Sequence, residues 1–187
     1  TPGVLASTVD EALSEARTAC LLAHPNIVTV HDFEIEGDYA YLVMEFVDGL
    51  NLSELLARVE GGYLTYAEAA HMVSSLAKAL QYAHENGVLH LDIKPTNIMI
   101  DRQGTVKLAD FGMATLASAA GYGGARGGTV GYMPPEQVEG MLVDERADIF
   151  SLAVVLRQAL TGVNVFAGRT AKESLDHIYK GPKIPLL

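Results

Sequence analysis

Apolar positions recur along this chain in two rhythms, and each change of rhythm marks off a short element. Residues 1–8 (TPGVLAST) hold Pro2 and Gly3 as breakers and read as a linker. Helical signals follow over 9–22, with Asp10 and Glu11 placed early, where carboxylates suit the positive end of a helix, and Pro25 closing the stretch. Two β-type runs, 27–33 and 39–47, flank the turn-rich Glu36-Gly37-Asp38. Asp48-Gly49 breaks the chain ahead of a short helix over 52–59, and Gly61-Gly62 break it again.

Thr65 opens the clearest helix. Thr65-Tyr66-Ala67-Glu68 fits a capping box, in which the threonine hydroxyl takes the amide of the third helical residue and the glutamate reaches back to the cap. Ala69, Met72, Val73, Leu76, Leu80 and Ala83 then recur on one helical face, and Gly87 supplies a left-handed stop. A β-hairpin is expected over 97–110 with Arg102-Gln103-Gly104 at its tip. The Ala/Gly-rich stretch 116–128 has little with which to build a core and reads as a mobile loop. Residues 148–160 are apolar nearly all round, the pattern of a helix buried on every side. A last helix is expected over 171–179, before Pro182.

Composition narrows the class. The 187 residues suffice for one good-sized core, or a core plus a small lobe, and 49% hydrophobic with 19% charged residues is a globular balance. A formal net charge of −10 argues against binding nucleic acid or anionic membranes, both of which need a Lys/Arg excess. A metal–nucleotide substrate stays open, because a divalent ion can sit between carboxylates and phosphates. Cys20 is the single cysteine, so no internal disulfide is possible; it reads as a small buried hydrophobe. With no run of 18 apolar residues and no leader-like start, the expectation is a soluble cytoplasmic protein without a membrane segment in this chain.

The chemistry gathers in His90–Asn97 (HLDIKPTN) and in Asp110-Phe111-Gly112. Any one of Asp92, Lys94, Asn97 and Asp110 would read as a solvated loop residue; together they supply two carboxylates and a carboxamide as hard oxygen ligands for Mg²⁺, and a lysine as a point charge for a phosphate. Asp92 and Lys94 make joint sense if one points at a nucleophile and the other at the charge of a reacting phosphoryl group.

On these residues the chain resembles the Hanks-type (eukaryotic-like) protein Ser/Thr kinases, and its wording resembles the bacterial members. HLDIKPTN is similar to the family's catalytic loop and ADFG (109–112) to its metal-binding turn. GTVGYMPPEQ (128–137) resembles the end of the activation segment, and DERADIFSLAVVLRQALTG (144–162) the helix supporting the catalytic loop. SEARTACLLAHPNIVTVHDF (14–33) resembles the regulatory helix and following strand, and YLVMEFVDG (41–49) the hinge. The resemblance implies an α+β, two-lobed fold: residues 1–47 as an incomplete small β lobe and 48–187 as a mostly helical large lobe. It implies ATP and Mg²⁺ as cofactors and proteins bearing Ser or Thr as substrates. By the same resemblance Asp92 orients or accepts the proton of the substrate hydroxyl, Lys94 neutralises the γ-phosphoryl group, and Asn97 and Asp110 hold Mg²⁺. Glu15 is the regulatory helix's ion-pairing glutamate, Met44 the gatekeeper, Glu45 and Val47 face the adenine, and Met99 packs beneath it. His90 and Phe111 are expected to stack with Val30 and Ala19, and Asp148 to brace the catalytic loop. Lys94 and Thr129 point to the Ser/Thr class.

Three departures qualify the match. The first lysine is Lys78, too late to be the one that pairs with Glu15, and no Gly-x-Gly precedes Glu15; the glycines of 121–128 lie too late to cover phosphates. The expected account is a chain lacking the family's first strands, binding nucleotide weakly by itself. Leu91 stands where the family has an arginine that pairs with a phosphorylated loop, so activity is expected not to depend on phosphorylation of Thr115, Ser118, Tyr122 or Thr129. The family's last helices, with the arginine that pairs with Glu136, are also out of view, so the expectation is either partial exposure of Glu136 or missing sequence at this end too. A pseudokinase or scaffold is the alternative, favoured by the absent lysine and by Leu91; the intact Asp92, Lys94, Asn97 and Asp110 favour the enzyme.

Overall fold

The computed structural model describes residues 18–36, 39–111 and 130–181. Glu15, Gly112, Thr115, Ser118, Tyr122, Thr129 and the glycines of 121–128 lie outside the described residues, as does most of the expected 9–22 helix, of which 18–20 are helical.

The elements run β1 (Val30–Glu36), β2 (Tyr39–Met44), β3 (Gly49–Asn51), α1 (Leu52–Arg58), α2 (Tyr66–Glu85), β4 (Ile98–Asp101), β5 (Val106–Leu108), α3 (Pro135–Val138), α4 (Glu145–Thr161) and α5 (Ala171–Lys180). Strands and helices segregate, and both sheets are antiparallel: the fold is α+β.

Local chemistry explains most boundaries. The Thr65 capping box forms as expected, and Asn51 with Glu54 makes a second one that opens α1. Gly87 stops α2 at φ 72°. The β4–β5 hairpin turns on Asp101, whose Oδ1 accepts the amides of Gln103 and Thr105 while Gly104 takes φ 84°. Gly49 is different from the break expected of it. It starts β3 against β4, where a Cβ would lie 2.0 Å from the Ile100 oxygen, so glycine here allows close strand approach rather than ending a segment.

One core joins the layers. Met72, Leu76, Ala79, Leu80 and Ala83 of α2 meet Leu152, Val155 and Ala159 of α4, together with Leu52, Ile93, Ile98 and Leu108. The segment before β1 is tied to this sheet: Ile27 bridges Leu108, and Asn26 Nδ2 donates to the Val106 oxygen at 2.8 Å.

Two expectations are corrected. The α4 helix is not buried on every side, because Ile149 is 53% exposed and Ala153 is exposed. Its apolar residues have α2 against one face, while elsewhere Phe150 stacks on Phe166 and Ser151 and Gln158 bond with Tyr132, leaving Ile149 and Ala153 open. Cys20 is half-buried rather than buried; partial burial, followed by the charge of Asp32, pushes its thiol pKa up. Among the described residues no helix is long and apolar enough to cross a membrane.

Candidate active site

The loop between α2 and β4 folds back on itself because three of its polar side chains find one another. Lys94 Nζ donates to Asp92 Oδ2 at 2.6 Å, and Asn97 Nδ2 donates to the Asp92 carbonyl at 2.9 Å and to its Oδ2 at 3.2 Å. Pro95 makes the return possible by starting a 3₁₀ turn, Pro95–Asn97, in which its fixed φ suits the first position. The structure therefore brings Asp92, Lys94 and Asn97 into one network. The Asn97 Nδ2 is committed to Asp92, leaving Oδ1 as its free acceptor.

Asp110 reaches the same loop through the backbone. The Ala109 amide donates to the Asn97 oxygen at 2.8 Å, and the Ala109 oxygen accepts from His90 Nε2 at 2.8 Å. Because His90 Nδ1 accepts the Asp92 amide at 3.2 Å, Nε2 must carry the proton and the ring is neutral. Burial lowers the His90 pKa, outweighing the nearby carboxylates of Asp148, Asp92 and Asp110. His90 also meets Phe111 edge-on, ring centroids 4.6 Å apart, and Phe111 and Ala19 share the core cluster. Val30, expected with them, is half-buried and lies outside that cluster.

A pH dependence follows. An unfolded histidine titrates near ~6.5, above the folded His90, so below that pH the unfolded chain binds the extra proton. Stability contributed here is complete above ~6.5 and falls by up to about 1.4 kcal/mol per pH unit down to the folded pKa. Lowering pH from 7.5 to 5.5 should depress the thermal midpoint of the wild type more than that of His90→Phe; parallel curves would show that His90 does not carry the effect.

Asp148 anchors the loop from α4. Fully buried, its Oδ1 accepts the Leu91 amide at 2.8 Å, and its Oδ2 accepts the His90 amide at 2.9 Å and His84 Nε2 at 2.8 Å. Burial works to raise its pKa, but these donors, His84 foremost, overcome it and hold the carboxyl below its usual range. Among the described residues, Leu91 (φ 61°) and Asp110 (φ 66°) are the two non-glycine residues with positive φ, and both lie in this site. Such conformations cost about 1–3 kcal/mol each and persist only where neighbours over-determine them. For Leu91 that neighbour is Asp148.

The remaining expected residues flank this centre. Met44 ends β2 and is 37% exposed; Val47 is half-buried beyond it; Met99 is half-buried in β4, paired with Asn51 and Lys107. The Glu45 side chain is engaged within the fold. Its carboxylate takes Lys107 Nζ at 2.7 and 2.9 Å and the Thr29 amide at 2.7 Å, so the side chain is committed to joining β5 to the β1–β2 pair. Burial opposes ionisation of Glu45, yet the Lys107 and Thr29 contacts leave its pKa lowered. Glu136 is half-buried. Three contacts had no signal in the sequence: His84 sits on an ordinary helical face, Lys107 in an ordinary strand, and Gln137 in a Pro-rich turn.

A family model described as the protein kinase domain matches residues 5–185. Serine/threonine-protein kinase PrkC of Bacillus subtilis is 40% identical over 167 residues, covering 88% of this chain and 26% of that protein. Serine/threonine-protein kinases PknA and PknB of Mycobacterium tuberculosis are 40% and 38% identical, covering 95% and 91% of this chain and 42% and 28% of those proteins. The chain thus spans less than half the length of these curated relatives. With a matching model over nearly its whole length and an Asp–Lys–Asn network braced by a buried aspartate, this chain belongs to the protein kinase domain family.

Proposed function

We propose that the full-length protein is an ATP-dependent protein Ser/Thr kinase, and that Asp92, Lys94 and Asn97 do its chemistry. The observation that carries this reading is their shared network: a carboxylate, an ammonium and a carboxamide within hydrogen-bond reach on a backbone fixed by buried contacts. Structural need alone does not call for this set, because a loop of this length could be closed by one Asx turn.

In the reaction, the oxygen of a substrate Ser or Thr bonds to the γ-phosphorus as the bond from phosphorus to the bridging oxygen of ADP breaks. Asp92 orients the hydroxyl and takes its proton; Lys94, already against Asp92, meets the growing negative charge on the transferred group. Asn97 Oδ1 and the Asp110 carboxylate are the oxygens that would hold Mg²⁺, which would supply positive charge to offset that of the phosphates. Among the described residues no cluster of three or more His, Cys, Asp or Glu could hold a metal. That fits an ion carried largely by nucleotide phosphates and water, the usual habit of Mg²⁺. The adenine would lie between Met44, the hinge residues through Val47, and Met99. With its side chain tied to Lys107, Glu45 would contact the base through its main chain. Glu15 is proposed to pair with the phosphate-binding lysine.

The test is phosphotransfer from γ-labelled ATP to casein by the full-length protein, with Asp92→Ala as control. Label on Ser or Thr from the wild type alone supports the reading; equal label from both discards it. Leu91 cannot pair with a phosphate, so Thr115→Ala with Ser118→Ala should leave turnover nearly unchanged in the same assay. A loss of roughly a hundredfold, about 2.7 kcal/mol of barrier, would show that loop phosphorylation is required after all.

A further inference from the structure

The 130–138 segment reaches the loop that carries Asp92 with the side chain of Gln137. Gln137, on α3, donates from Nε2 to the Leu91 carbonyl at 2.6 Å. The opposite amide orientation would set two oxygens against each other, so the donor assignment is required by chemistry. Gln137 Oε1 is buried and has no hydrogen-bond partner among the described residues, so the carboxamide is oriented by its donor.

The peptide unit that Gln137 grips is the one joining Leu91 to Asp92. Its oxygen is held by Gln137 and its N–H, that of Asp92, by His90 Nδ1 at 3.2 Å. The preceding unit is held by Asp148 through the Leu91 amide. Leu91 at φ 61° is therefore fixed on both sides, and the plane of the Leu91–Asp92 peptide sets the direction in which the Asp92 carboxylate leaves the chain. Leucine offers no charge by which a phosphorylated loop could align this backbone. A neutral hydrogen bond from the 130–138 segment is in the position to do so.

We propose that Gln137 is a positioning residue for phosphotransfer: it fixes the Leu91–Asp92 peptide so that seating of the 130–138 segment aligns Asp92 with the substrate hydroxyl. This rests on the kinase reading above. Gln137 acts through Asp92, so its loss should fall on kcat and leave nucleotide binding alone.

The experiment measures kcat and KM for Mg·ATP with casein, in full-length wild type, Gln137→Leu and Gln137→Glu. Gln137→Leu keeps the bulk and removes the donor; kcat should fall roughly tenfold with KM changed less than about twofold. Gln137→Glu turns an acceptor toward the carbonyl at pH 8 but can donate when protonated, so its kcat relative to wild type should rise at least about threefold between pH 8 and pH 5.5. A residue that merely packs would not give that rescue. Variants with kcat within about twofold of wild type, or a Glu-to-wild-type ratio that is flat with pH, would overturn this proposal alone. A wild type that transfers no label would overturn the kinase reading and this proposal with it.

Discussion

Asp92→Ala in the full-length protein is expected to lower kcat by roughly a thousandfold, about 4 kcal/mol of barrier, with KM for Mg·ATP changed little. The split follows from where the side chain acts. In the proposed reaction Asp92 would meet the nucleophile and its proton, which matter in the transition state, whereas ground-state contacts to the nucleotide would come from other residues. Its Oδ2 also receives Lys94 at 2.6 Å and Asn97 at 3.2 Å, so alanine releases both of their side chains from the carboxylate. Asp92→Asn separates the two roles: the amide oxygen can still accept these bonds, but the group cannot take a proton. It should therefore lose nearly as much kcat as alanine while keeping the loop in place. If Asp92→Ala retained a tenth of wild-type kcat, the assignment of Asp92 as the catalytic carboxylate would fail.

The largest stability effect is expected at Asp148. Replacing it with alanine leaves the amides of His90 and Leu91 and the ring of His84 without their acceptor, in a site where the carboxylate itself is 0% exposed. Removing one side of such a buried charged network costs about 3–5 kcal/mol. At about 2–4 °C per kcal/mol for a domain of this size, the thermal midpoint should drop on the order of 10 °C. Activity should fall in parallel, since Leu91 would no longer be held at its positive φ. Asp148→Asn keeps one acceptor oxygen and should recover part of the loss. The contribution has an acid limit: with the folded pKa below the unfolded ~3.9, it is complete above that value and lost as pH falls through the folded pKa. A midpoint within 2 °C of wild type for Asp148→Ala, measured by scanning calorimetry, would show that the network is dispensable.

Helix existence and caps were legible in the chain because they are local. The Thr65–Glu68 box, the Gly87 stop and the Asp101 turn each rest on residues at most four apart. Strand ends were less so: β1 begins at Val30 rather than residue 27, because 27–28 are drawn into contact with Leu108 across the core. Gly49 looked like a break and is a strand residue for the same reason, its environment being set by Ile100 some fifty positions on. The 148–160 apolar pattern carries no record of which face meets a partner, and Ile149 with Ala153 remained open.

The site divides along the same line. The spacing of Asp92, Lys94, Asn97 and Asp110 marked them as candidates by itself, and three of the four do share one network, because they lie in one short loop whose contacts span two to five residues. What holds that loop came from elsewhere: Asp148 and His84 meet across 64 positions, and Leu91 and Gln137 across 46; the Glu45–Lys107 pair, which ties β5 to the segment after β2, spans 62. Hydrogen bonds of that kind leave no periodicity in a sequence, since any helix or strand accepts a His, Gln or Lys on its surface. The sequence alone determined which candidate groups, Asp92, Lys94 and Asn97, would lie close together, because they are near neighbours along the chain. Only the tertiary structure decided that Leu91 would be held at positive φ by partners from two separate helices, and so where the Asp92 carboxylate points.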